Sequence, residues 1–83
     1  MHHLILITGP QDSGKSTIAL LMRNSVEIEA SGKGNDVILR EIWAQKDFKE
    51  VVVVTTTSAN YVLRRMLENC ANELKCKYFH YQI

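Results

Sequence analysis

Gly9-Pro10-Gln11-Asp12-Ser13-Gly14-Lys15-Ser16-Thr17 constrains this chain more than any other stretch. It follows an apolar run, Leu4-Ile5-Leu6-Ile7-Thr8, and opens into Ile18-Ala19-Leu20-Leu21-Met22. A short, uninterrupted apolar run reads as a strand covered on both faces, and the segment after the loop reads as a helix. A strand, a tight glycine loop and a helix form the first part of a βαβ unit, which points to a parallel sheet. The glycines let the backbone bend so that successive N–H groups converge on one point. The helix start adds unpaired N–H groups and the positive end of the helix dipole. An anion suits such a loop. Lys15 supports the same reading, because a cation at a helix N-terminus opposes the dipole unless an anion lies between them. The plain alternative is a glycine turn carrying a solvated lysine.

At these residues the chain resembles the P-loop NTPases and kinases, through their Walker A motif of Gly, four residues, then Gly-Lys-Ser/Thr. The resemblance covers the first strand, the loop and the helix after it; beyond that it extends only to an alternation of strands and helices. It implies a compact three-layer α/β P-loop-like fold, a parallel sheet of three or four strands with helices on its faces. It implies a nucleoside triphosphate, ATP or GTP, bound with Mg²⁺. Gly9, Asp12, Ser13, Gly14, Lys15, Ser16 and Thr17 would hold the phosphates, Lys15 reaching the terminal ones and the Ser16 hydroxyl sitting on Mg²⁺.

The 83 residues suit one domain, residues 1–83. A chain of this size buries only about 60–65% of the surface its unfolded form exposes, so a bound nucleotide, a second copy or a host complex would add materially to its stability. Formal net charge is +1, from 10 basic and 9 acidic residues, so no bulk field attracts nucleic acid or a membrane. The two cysteines, Cys70 and Cys76, match neither a disulfide scaffold nor a metal pattern. No apolar run is long enough to span a bilayer and no signal peptide precedes the first strand, so a cytoplasmic setting is expected.

The remaining elements follow from periodicity. Ile18, Leu21, Met22 and Ser25 share a helical face, and the first helix is expected to end near Asn24. Val26-Glu27-Ile28-Glu29-Ala30 alternates apolar and acidic residues, as a short edge strand with one wet face does. Ser31-Gly32-Lys33-Gly34 reads as a flexible loop. Asn35 is the expected cap of a second helix, whose stripe is Ile38, Leu39, Ile42 and Trp43, with Trp43 at the edge of the core. Val51-Val52-Val53-Val54-Thr55-Thr56 is the strongest strand and belongs inside the sheet. Ser58 is the expected cap of a third helix, with Ala59, Val62, Leu63, Met66, Leu67, Cys70, Ala71 and Leu74 inward and Arg64–Glu68 paired outside. Residues 77–83 end the chain as a strand, His80 included. The first strand is expected between the valine strand and the last one, all parallel.

The resemblance is incomplete where catalysis would need it. The family's second acid, the Asp at the end of another apolar strand, has no counterpart in Val54-Thr55-Thr56-Thr57-Ser58. Two readings of these threonines stay open. In one, Thr56 or Thr57 contacts the γ-phosphate, as at the sensor strand of ring-type ATPases; in the other, Thr is simply a favourable strand residue. Asp12 and Glu29 are the carboxylates placed to approach a metal or a water. Arg23, Arg40, Arg64 and Arg65 are the arginines available as a finger. Nucleotide binding with slow hydrolysis or none is the expected function, and a regulatory module holding phosphate as a structural ligand is the alternative.

Overall fold

Hydrophobic strands need cover on both sides, and here they take the inner positions of the sheet. The computed structural model describes residues 1–83. Four strands and three helices alternate: β1 (His3–Thr8), α1 (Lys15–Leu20), β2 (Ser25–Glu29), α2 (Asn35–Gln45), β3 (Val51–Thr56), α3 (Tyr61–Glu73) and β4 (Lys77–Gln82). The strands form one parallel sheet in the order β2-β3-β1-β4. β1 therefore lies between the valine strand and the last strand, and the acidic–apolar strand β2 is at an edge, as the sequence predicts. Leu6 pairs with Val54 on one side and His80 on the other, which fixes the register.

Alternate residues of each strand face opposite layers. Leu4, Leu6, Ile28, Val52 and Val54 meet Ile38 and Ile42 of α2 and Leu63, Leu67, Cys70 and Ala71 of α3 in one cluster. Ile5, Ile7 and Val53 face the other way, onto Ala19 of α1. This division follows from topology. The chain crosses outward over the sheet through α1 and returns through α2 and α3, so crossovers of one hand place α1 opposite the other two. No helix is long and apolar enough to cross a membrane.

Several local expectations are corrected. α1 stops at Leu20, and Leu20 and Leu21 are exposed, so the helix buries little besides Ala19. Ser25 leaves the helix altogether and opens β2, its hydroxyl donating to the carbonyls of Ala19 (3.0 Å) and Met22 (2.8 Å). Asn35 is the first helical residue of α2, and Gly34 takes the cap position. Asn60, not Ser58, caps α3: its side-chain oxygen accepts from the Leu63 N–H at 2.8 Å. Val62 faces solvent and Trp43 is exposed, with the Lys46 ammonium 5.7 Å from the Trp43 ring centre. The outer pair on α3 is Arg65–Glu68 at 3.8 Å. Ser31 to Gly34 includes a turn at Gly32, where φ is +76°, and Lys33 is tied to Glu41 at 2.9 Å.

Candidate functional site

Parallel strands of this arrangement end on one edge of the sheet, and the loops there build the site. A cavity of about 620 Å³ opens at that edge, walled by residues 11–17 of the glycine-rich loop, by Glu29 and Ser31 after β2, and by Thr55, Thr56 and Thr57 of β3. No apolar side chain lines it.

The loop holds its shape through two residues with left-handed backbone, Asp12 at φ 59° and Gly14 at φ 90°. Gly14 needs no side chain for this and pays no Cβ clash. Gly9 is favoured for a different reason, close packing. A Cβ there would lie 3.0 Å from both the Ile83 side chain and the Ser13 hydroxyl. Below the loop, the Gly9 N–H donates to the Thr56 carbonyl (3.2 Å), and Thr8 Oγ1 lies 3.0 Å from His80 Nε2. The loop is thus anchored to both strands flanking β1.

Of the residues singled out in the sequence, Asp12, Ser13, Gly14, Lys15, Ser16, Thr17, Thr56, Thr57 and Glu29 line the cavity, and Gly9 packs behind it. The Lys15 ammonium is folded over its own loop, donating to the carbonyls of Gly9 and Pro10, each at 2.7 Å. The first hydrogen bond of α1 runs from Ile18 N–H to Gly14 O (2.9 Å), so the N–H groups of Lys15, Ser16 and Thr17 precede the ladder. The Ser13 hydroxyl is shielded from solvent and has no hydrogen-bond partner. Buried hydroxyls without partners are uncommon, and this one lies on the Gly9 side of the loop.

The threonines divide by strand face. Thr56 donates to the Ser58 carbonyl at 3.0 Å. Thr55, not among the threonines expected at the phosphate, is buried and donates to Glu27 Oε2 at 2.7 Å. Ser16 Oγ donates to the same oxygen at 2.8 Å. Glu27, expected on the wet face of an edge strand, approaches Ser16 and Thr55 and so joins segments 11 and 28 residues away in sequence. None of the four arginines lines the cavity.

Comparison with protein-family models, with curated protein sequences and with solved structures finds no match to this chain.

Proposed function

We propose that the chain is a small nucleoside-triphosphate-binding domain of the P-loop kind, taking ATP or GTP with Mg²⁺ and hydrolysing it slowly or not at all on its own. The observation that carries this reading is the cavity of about 620 Å³ walled by residues 11–17 and lined by no hydrophobic residue. Pockets for drug-like ligands are mostly apolar with a few polar groups, and this one is the reverse. Its donors suit phosphate oxygens: the N–H groups at the start of α1 and the Lys15 ammonium. The Lys15 side chain already lies over the loop, and its three N–H donors can exchange the Gly9 and Pro10 carbonyls for phosphate oxygens. The Ser16 hydroxyl is the protein ligand offered to Mg²⁺, with the Glu27 carboxylate behind it. Bound Mg²⁺ supplies charge neutralisation across the phosphate oxygens.

The same lining favours the second reading, phosphate as a structural ligand. A cavity without an aromatic or aliphatic wall gives a base nothing to stack on. Affinity then comes from the phosphates, and ATP, GTP and inorganic tripolyphosphate bind within about threefold of one another, since a lost stacking contact is worth about 1–3 kcal/mol. With no arginine at the cavity, turnover stays well under one per minute, towards the roughly 0.02–0.03 per minute of a GTPase lacking its finger. Isothermal titration of the chain with ATP, GTP, tripolyphosphate and phosphate, each in Mg²⁺, tests both readings. Lys15→Ala is expected to abolish the heat signal and the ligand-induced rise in melting temperature. Silence from every ligand at millimolar concentration would refute phosphate binding, and a strong preference for one base would refute the phosphate-only account.

A further inference from the structure

Glu27 sits where three elements meet. Its Oε2 accepts the hydroxyl of Ser16, at the start of α1, at 2.8 Å and the hydroxyl of Thr55, near the end of β3, at 2.7 Å. The side chain is half-buried. No cation pairs with it: the ion pairs of the protein are Lys33–Glu41, Lys46–Asp47 and Arg65–Glu68. Lys15, the nearest base in the loop, is turned to the Gly9 and Pro10 carbonyls. This half-buried carboxylate, behind a residue of the cavity wall, is answered by two hydroxyls and by no cation.

We infer that Glu27 is the metal-positioning residue of this site, delivered from β2 and held there by Thr55; the inference rests on the nucleotide reading above. A serine hydroxyl has one proton and two lone pairs. With its proton given to Glu27, Ser16 keeps its lone pairs for a divalent cation at the cavity that it lines. A cation there polarises the O–H bond and strengthens the hydrogen bond to the carboxylate, while the charge of Glu27 balances that of the metal. Thr55 fixes the carboxylate from the far side and is itself immobilised in the sheet. β3 therefore supplies a hydroxyl where an acid would reach the site directly, and the acid comes from the strand beside it.

The rival is that Glu27 merely fastens α1 to β2. Glu27→Gln separates the two, because the amide oxygen still accepts both hydroxyl hydrogen bonds and only the charge is lost. ADP affinity of the full chain would be measured by titration in MgCl₂ and again in EDTA. Outer-partner changes cost about 10–100-fold in metal affinity. Glu27→Gln is expected to weaken ADP binding by about that factor in Mg²⁺ and by less than about threefold in EDTA. Thr55→Val loosens the carboxylate and is expected to shift the Mg²⁺ value in the same direction by a smaller factor. The double variant E27A/T55D, which puts a carboxylate on β3 itself, is expected to regain the Mg²⁺ dependence that Glu27→Ala loses. Wild-type Mg²⁺ dependence in Glu27→Gln, or an equal loss in Mg²⁺ and EDTA, would overturn the assignment while leaving nucleotide binding intact. Absence of ADP binding by the wild-type chain would overturn both.

Discussion

Leu67→Ala tests the packing that holds the sheet together. Leu67 is wholly buried on the inner side of α3, in the cluster that joins Leu4, Leu6, Val52 and Val54 to Ile38 and Ile42. Truncating a buried leucine costs about 2–5 kcal/mol, depending on how far the surroundings collapse into the space. Here the walls are sheet backbone and β-branched side chains with stiff rotamers, so collapse is limited and the cost falls at about 3–4 kcal/mol. A folded chain of 83 residues has a stability of about 4–12 kcal/mol at ordinary per-residue values. The variant should thus lose a large fraction of its stability. Urea unfolding followed by circular dichroism reads this directly: with a slope near the lower end of the range for small proteins, the midpoint falls by about 2–3 M. Val62, five residues earlier on the exposed side of the same helix, provides the control, and Val62→Ala should change stability by less than about 0.5 kcal/mol. Nucleotide at a hundredfold excess over its dissociation constant should restore about 2.7 kcal/mol to Leu67→Ala. A loss below about 1 kcal/mol for Leu67→Ala, or equal losses for the two variants, would refute the orientation of α3.

Two further outcomes are expected. Asn60→Ala removes the hydrogen bond to the Leu63 N–H and should cost about 1 kcal/mol in urea unfolding, whereas Ser58→Ala should be close to neutral, because the α3 cap is Asn60. Burial pushes the Cys70 thiol up to about 11, with the neighbouring Cys76 and Glu73 adding to the shift. The folded state therefore keeps a proton that the unfolded thiol gives up near its ordinary value of 9.0, so this contribution is whole below pH 9 and is lost as pH rises towards 11. Stability measured across that window should fall less steeply in Cys70→Ala than in the wild type.

Much of the sheet was legible in the chain, for a clear physical reason. Leu4–Ile7 and Val51–Val54 have no polar residue to turn towards water, so both had to be interior, and a first strand flanked by the valine strand and the last strand follows. Helix ends were harder to read. Leu21 and Val62 fit a three-four apolar spacing, yet α1 is too short, and α3 packs too narrowly, to bury them. The caps shifted by one or two residues because Gly34 and Asn60 met the extended backbone at the helix starts. The loop residues could be named in advance since consecutive residues build the cavity wall. Glu27 could not, because its partners arrive only through the strand order, and in the linear pattern it is one half of an apolar–acidic alternation.

The placement of β1 also governs when the molecule can exist. β1 precedes the other three strands in the chain, yet the next strand made, β2, is not its neighbour in the sheet; its neighbours are β3 and β4. Thr8 reaches across 72 residues to His80. At ribosomal rates of about 5–20 residues per second, the most apolar segment of the chain waits about 4–15 s for its second partner. Closing such a long loop precedes any reward from the contacts it brings, so the finished sheet forms slowly and nearly all at once. During that interval the glycine loop hangs from a strand with no fixed position. A nascent chain arrested before Lys77 should be bound by chaperones and should ignore phosphate, and ligand binding would mark the moment at which β4 docks.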